Sequence, residues 1–315
     1  MTDKPLEAFT SVAAGQAHAE ATEPLNLLVW NIGYAGLGEE SDFKTDGGKM
    51  LRPPSRAVVE KNVAGITAVL RNQDADIVLM QELASDGFIT RGVDVQADIR
   101  EALQQYDMFW SPDIRTSMLV RALSVEHGPA TFTSVMTKPP STHRIPAEPS
   151  VMGVIKRQHH VQVIELDVSG RPWTLINVHL SAFDEGAEKR TEQLDAVLEL
   201  AREHYAQGRA VVLGGDWNLQ LLDTNFPHTS TEDALFWLFP FPHDRLPTDW
   251  QIIADPKTPT VRTNERPYNV GENYTTIIDG LIISPNVEAL YVETLSLDFK
   301  FTDHQPVRAS FRRTD

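Results

Sequence analysis

The chain contains no cysteine. Disulfide staples and thiolate metal sites are therefore excluded, and the absence fits a reducing, cytoplasmic setting. Also missing is any apolar run of about 18 or more residues, so no stable membrane span is expected. Residues 1–24 lack the continuous apolar centre of a secretory signal. They read as a flexible polar leader with weak helical character around Val12 to Ala21. Basic residues are scarce: 28 Lys and Arg stand against 44 Asp and Glu, a formal net charge of −16. That balance repels a polyanion at long range, because nucleic-acid affinity rests on Lys and Arg neutralising phosphates. Repeats, low-complexity blocks and linker-like shifts in composition are absent too. Residues 25–315 are therefore expected to form a single domain, with 41% hydrophobic residues supplying its core.

Short apolar runs that end in polar side chains dominate what is present. Leu25 to Trp30 ends at Asn31, and Ile77 to Met80 ends at Gln81-Glu82. Trp173 to Val178 ends at His179. Val211 to Leu213 passes through Gly214-Gly215 into Asp216-Trp217-Asn218. Such runs read as buried strands delivering polar groups to the rim of a sheet, with glycine allowing close approach of backbone or ligand. Thr276 to Ile283 reads as a strand interrupted by Asp279-Gly280, and Val307 to Phe311 closes the chain after Asp303-His304. Thr131 to Met136, His160 to Val168 and Trp173 to Val178 alternate like antiparallel strands, with a hairpin turn at Ser169-Gly170. A helix from about Ser55 to Asn72 follows Pro53-Pro54, with Val58, Val59, Val63, Ile66, Val69 and Leu70 on its buried face. Val95 to Gln105 reads as a second helix. Glu188 to Tyr205 is a long amphipathic third, using Leu194, Val197, Leu198 and Ala201 and ending near Gly208.

Taken singly, each polar ending has an ordinary explanation. Asn31 suits a turn, Glu82 a solvated strand end, and His179 or His304 a satisfied structural histidine. Asp279, inside a strand, needs a partner because an unpaired buried carboxylate is costly. Six such endings in one chain point to a shared site.

The order and wording of these segments are distinctive. Leu28-Val29-Trp30-Asn31-Ile32, Gln81-Glu82, Asn177-Val178-His179-Leu180-Ser181, Gly214-Gly215-Asp216-Trp217-Asn218, Ile278-Asp279-Gly280 and Thr302-Asp303-His304-Gln305-Pro306-Val307 together resemble the endonuclease/exonuclease/phosphatase superfamily, with its deoxyribonuclease I-like fold. The resemblance spans about residues 25 to 313. It implies an α/β (α+β) four-layer sandwich: two packed mixed β-sheets flanked by helices, with the site at one end.

It also implies a divalent-metal-dependent phosphoesterase in which an activated water attacks a phosphodiester in line. Oxygen donors without thiolates suit Mg²⁺ or Mn²⁺, as one or two ions. Glu82 is the expected main ligand, assisted by Asn31, with Asp303 a supporting or second-metal ligand. Asp216 would orient and help deprotonate the water, and Asn218 would donate to the developing phosphorane-like oxygens. Asp279 would hold His304 and favour its imidazolium. His304 and His179 would bond the phosphate oxygens, one of them serving the leaving group as acid. Many family members also bring a Tyr or Asn to the phosphate from mid-chain. The matching stretch here, Gly128 to Ser134, offers only hydroxyls.

Two stretches bear on substrate. In the polar loop Arg262 to Tyr268, Arg262 could grip a phosphate or carboxylate bidentately; a solvated surface loop is the alternative. Ala234 to Pro242 is rich in aromatics, suiting an apolar pocket wall or packing beneath a long loop. The pair His159-His160, with no third ligand at metal spacing, reads as strand surface. The expected partner is a phosphoester substrate. A lipid or small-molecule phosphodiester fits the charge and the aromatic stretch slightly better than DNA or RNA. A non-catalytic binding module on the same fold is the remaining alternative, since fold alone does not determine function.

Overall fold

The apolar runs assemble into two mixed β-sheets packed face to face, in a computed structural model that describes residues 10–14, 18–116, 123–148, 157–182 and 184–315. In chain order the first strands are β1 (Thr10–Val12), β2 (Leu25–Asn31), β3 (Ile77–Ala84), β4 (Asp107–Trp110), β5 (Ile114–Thr116) and β6 (Val125–Thr133). Next come β7 (Ser141–Arg144), β8 (His160–Val168), β9 (Arg171–His179), β10 (Ala210–Asp216) and β11 (Gln251–Ile253). The last are β12 (Val261–Arg262), β13 (Thr275–Thr276), β14 (Asp279–Ile283), β15 (Val287–Thr294) and β16 (Val307–Arg313). The α-helices among the described residues are α1 (Arg56–Arg71), α2 (Val95–Ala102) and α3 (Glu188–Ala206).

One sheet runs β1-β4-β6-β3-β2-β16-β15, with β5 beside β6; the other runs β11-β14-β10-β9-β8-β7. Two parallel pairs, β2 with β3 and β9 with β10, make the sheets mixed. The period of two in side-chain direction then builds the layers. In β10, Val212 faces inward to meet Val29, Leu79, Leu175 and Leu281 between the sheets. Its neighbours Val211 and Leu213 face outward, against Leu194, Val197, Leu198 and Ala201 of α3. On the far side, α1 and α2 bury Val59, Val63, Ile66, Leu70, Val95 and Ile99 against Trp30, Met80 and Phe132 of the first sheet. Helix, sheet, sheet, helix gives four layers, and each such aliphatic contributes about 1.5–3 kcal/mol by leaving water.

Side-chain caps set where the first two helices begin. The Ser55 hydroxyl accepts from the Val58 N–H at 3.3 Å, and the Asp94 carboxylate accepts from the Ala97 N–H at 3.1 Å. Within α1, Val58 and Val69 are only partly buried, while Val59, Val63, Ile66 and Leu70 carry the core contact.

Several expectations are corrected. Thr10–Val12 is a strand paired with β4, and Ala21 is buried in the inter-sheet core, so these leader residues pack on the body. Leader residues 1–9 and 15–17 lie outside the described residues. The strand expected at Thr131 to Met136 is β6, which starts at Val125, ends at Thr133 and lies between β4 and β3 in the first sheet. β3 does not stop at Met80: it runs on to Ala84 through a register shift between Met80 and Leu83.

The glycine pair in β10 has a steric cause. A Cβ on Gly214 would lie 3.0 Å from Leu79 Cδ1 and from Val29 Cγ2, where the opposing sheet comes closest. A Cβ on Gly215 would lie 1.9 Å from the Val178 carbonyl oxygen. Backbone cannot step aside without breaking the β9–β10 ladder. Gly215→Ala is expected to cost about 3 kcal/mol or more, at the upper end of overpacking effects. Thermal unfolding measures this; a variant as stable as the parent would show that β10 tolerates a side chain there.

Candidate active site

Strand direction and register bring the polar endings to one edge. Parallel strands deliver their C-terminal ends there: Asn31 from β2, Glu82 from β3, His179 from β9 and Asp216 from β10. Antiparallel strands deliver their beginnings: β14 opens with Asp279, and Asp303-His304 lies just before β16, ahead of Gln305-Pro306. Across the second sheet, Asp216 pairs in register with His179 on one side and Asp279 on the other. Three of the expected site residues thus form one cross-strand row.

Their contacts are specific. His304 Nδ1 lies 2.8 Å from Asp279 Oδ2, and its Nε2 lies 3.8 Å from Asp216 Oδ2. Burial opposes charging of His304, but Asp279 and Asp216 outweigh it and hold the ring's pKa well above the ordinary histidine value. Asp216 accepts from Asn31 Nδ2 and from the Asn218 N–H, each at 2.9 Å. Burial raises its pKa to about 6, with His304 resisting the rise. Asn218 adopts a left-handed backbone (φ 50°) and commits one amide hydrogen to the Leu180 carbonyl at 3.0 Å. Glu82 is also left-handed (φ 58°), at the register shift in β3. For Glu82 that conformation costs on the order of 1–3 kcal/mol, a pattern typical of functional positions.

These side chains line a cavity of about 330 Å³. Asn31, Glu82, His179, Asp216, Asn218, Asp303, His304 and Arg262 all border it; Asp279 stands behind His304. Trp237, Leu37, Phe43, Ile114, Val261 and Ile278 form apolar wall. The aromatic stretch therefore does both things considered for it: Trp237 borders the cavity, while Phe241 packs edge-on against Trp217 in the core.

The residues fit a hard divalent cation. The Glu82 carboxylate makes no hydrogen bond among the described residues; His179 Nε2 lies 3.8 Å from its Oε1. Loss of water, and then the charge of Asp303, push its pKa up to about 8. Crowded oxygen donors of this kind are relieved by a positive ion. Asn31 Oδ1 accepts from the Gly33 N–H at 2.9 Å and keeps a second lone pair. Asp303 is held by Asn264 Nδ2 at 2.7 Å and Thr302 Oγ1 at 3.1 Å. Asp216, Asp279 and His304 also place ligand atoms within 4.8 Å of one another. There the histidine is bound to a carboxylate and favours its imidazolium, so that trio suits a proton better than a metal.

Two expectations fail. Arg262 is 1% exposed, and its Nη atoms donate to the backbone carbonyls of Leu37, Gly38, Ser41, Thr263 and Arg266. It clamps the loop after Asn31 and has no paired donors free for a phosphate. His159 and His160 are buried rather than on a strand surface: His160 bonds Ser111 Oγ at 2.7 Å, and His159 lies 3.4 Å from Glu148. The hydroxyl of Thr131, in the mid-chain stretch, is spent on Gln162 at 2.7 Å.

Other cavity residues went unrecognised in the sequence. Arg157 pairs with Asp113 at 2.8 Å and donates to His179 Nδ1 at 3.0 Å. His127, on β6, is pushed down to about 4 by burial. Tyr34 and Asp46 come from the loop after Asn31, and burial raises Asp46 to about 7. Beneath them a polar layer ties the sheets together: Gln81 Nε2 donates to Asn177 Oδ1 at 2.7 Å, and Asn177 Nδ2 donates to the Met80 and Ala130 carbonyls. Arg157, His127, Tyr34 and Asp46 belong to none of the short motifs, and Gln81 and Asn177 lie in motifs without having been read as contact residues. The local signal was a polar residue inside an otherwise apolar strand, as at Asn177 and Gln162.

No protein-family model and no curated protein matches the chain. Solved structures do. An endonuclease/exonuclease/phosphatase from Beutenbergia cavernae DSM 12333 is 18% identical, covering 92% of this chain and 71% of its own, with a TM-score of 0.60. TDP2 from D. rerio, complexed with a single-strand DNA product, is 15% identical over 92% of this chain and 99% of its own, at 0.56. The human Nocturnin catalytic domain with bound sulfate is 16% identical over 100% of both chains, also at 0.56. The chain shares the fold of these solved structures, which is deoxyribonuclease I-like. No helix among the described residues is long and apolar enough to cross a membrane.

The raised pKa of Glu82 has a signed consequence. The folded protein retains this proton up to about pH 8, whereas the unfolded chain releases it near the ordinary glutamate value. Its contribution is therefore present at low pH and lost as pH rises through that window. In EDTA, Glu82→Gln should gain stability relative to the parent between pH 5 and 8.5, by roughly 1–3 kcal/mol. Saturating Mg²⁺ should reverse the order at pH 8.5 by stabilising only the parent. Melting curves test both; a difference independent of pH and metal would remove Glu82 from the metal set.

Proposed function

We propose that the chain is a divalent-metal-dependent phosphoesterase that hydrolyses a phosphodiester by in-line attack of water. The observation that carries this is the His179–Asp216–Asp279 row facing Glu82 and Asn31 across a common cavity. A Mg²⁺ or Mn²⁺ ion held by Glu82 and Asn31, with Asp303 in support, would neutralise a phosphoryl oxygen and the departing oxygen. Whether one ion or two serve is left to metal titration.

Asp216 takes the proton of the attacking water. It is buried, fixed by Asn31 and Asn218, and ionised above about pH 6. His304, kept cationic by Asp279, donates from Nε2 to the phosphoryl group, and its charge offsets the negative charge that builds there. Asn218 contributes its remaining amide hydrogen. The apolar wall excludes water from the flanks, which strengthens each of these interactions.

For substrate, the charge of −16 and the wall of Trp237, Phe43 and Ile114 suit a lipid or small organic phosphodiester. A nucleic acid is supported equally, by the D. rerio neighbour that carries a single-strand DNA product. A panel of aryl phosphodiesters, phosphomonoesters, lipids, DNA and RNA, with Mg²⁺, Mn²⁺ or EDTA, separates them. A steep fall of DNA cleavage with added salt at constant free Mg²⁺ favours the nuclease, since phosphate contacts release counterions.

Asp216→Asn and Glu82→Gln are expected to abolish turnover with the fold intact by circular dichroism. Asp279→Asn should lower kcat about 10²–10⁴-fold, the range for a misplaced acid–base group. Metal-dependent activity retained in Asp216→Asn or Glu82→Gln would sink the assignment.

A further inference from the structure

We infer that Arg157 is a positioning residue that locks His179 as a neutral ring protonated at Nε2. His179 is thereby a hydrogen-bond donor only, and neither base, acid nor metal ligand. The starting point is the 3.0 Å contact between Arg157 Nη2 and His179 Nδ1. A guanidinium has donors and no acceptor, and it does not lose its proton in proteins. The histidine nitrogen facing it must therefore present a lone pair. With Nδ1 accepting, the neutral ring carries its hydrogen on Nε2.

That nitrogen faces the catalytic carboxylates, 3.6 Å from Asp216 Oδ2 and 3.8 Å from Glu82 Oε1. A protonated Nε2 has no lone pair for a metal or for the proton of water. A neutral imidazole N–H is also far too weak an acid to protonate a leaving group. What remains is donation to a phosphoryl oxygen placed between those carboxylates. The two histidines of the cavity are set oppositely by their partners: His304 faces a carboxylate and His179 faces a guanidinium.

Arg157 is held firmly enough to do this. Its Nε donates to Asp113 Oδ2 at 2.8 Å, and Asp113 is buried. The Gln158 N–H donates to the Asp113 carbonyl at 2.7 Å, and the Asp113 N–H donates to the His127 carbonyl at 3.1 Å. Two strand connections are thus pinned together behind the arginine. The ion pair also offsets the cost of desolvating most of the guanidinium.

The test uses the full chain labelled with ¹⁵N-histidine and reads ring nitrogens by long-range ¹H–¹⁵N correlation, with and without Mg²⁺. Only the kinetic arm below depends on the hydrolase reading. In the parent, His179 should show a bare Nδ1 and a protonated Nε2 from pH 5 to 9. A protonated Nδ1, an imidazolium in that range, or loss of the Nε2 proton on adding Mg²⁺ overturns the inference. Arg157→Met alone strands Asp113, so the variant is Arg157→Met with Asp113→Asn. It should release the ring to mixed tautomers and lower kcat about 10–100-fold, the range for partners that orient a catalytic group, with KM little changed. An unchanged kcat in a variant whose tautomer has shifted refutes the positioning role. A parent that hydrolyses no phosphoester yet shows the expected tautomer refutes the proposed function and leaves the lock standing.

Discussion

The site exists because β10 lies between a parallel neighbour and an antiparallel one in fixed register. The parallel ladder with β9 sets Asp216 beside His179, and the antiparallel ladder with β14 sets it beside Asp279. A shift of one residue in either ladder would turn these side chains to the opposite face of the sheet. The register is secured by burial on both faces of β10 and by two glycines that allow the closest approach of backbone and opposing sheet. Side-chain chemistry here is therefore a product of strand packing.

The electrostatics follow from that placement. Five carboxylates, Asp46, Glu82, Glu148, Asp216 and Asp303, border one cavity, and the two arginines beside them are already engaged, Arg157 by Asp113 and His179 and Arg262 by carbonyls. The fold thus holds a local excess of negative charge at one end, with burial raising Glu82, Asp46 and Asp216. A divalent cation is the natural complement of such a cluster. The two histidines sit in opposite environments, His304 against a carboxylate and His179 against a guanidinium.

Much of this was legible from the chain. Strand ends at Asn31, His179 and Asp216, and the turn that carries Asp303-His304, could be read because each is a local event: an apolar run stops and a polar group follows. Glu82 lies within β3, which runs on to Ala84, and Asp279 opens β14. The helices were legible for the same reason, since apolar residues recur at helical spacing within a few turns, although α2 ends at Ala102, short of Gln105. Arg262 misled because an arginine in a polar loop looks available. Its carbonyl partners at Leu37 and Gly38 are 225 and 224 residues away. The strand of Thr10–Val12 was missed because an edge strand this short has too few residues to show a period.

The sequence by itself determined most strand positions and the thiol-free oxygen and nitrogen donor set, since periodicity, turns and residue chemistry act over a few neighbours. The four-layer plan followed from its resemblance to a known family. Only the tertiary structure decided which donor meets which acceptor. Asn31 reaches Asp216 across 185 positions, and Arg157 reaches Asp113 across 44. Those pairings depend on strand order and register. They set the guanidinium that faces His179, the carboxylate that faces His304 and the confinement of Arg262, because hydrogen-bond partners and burial are properties of neighbours in space.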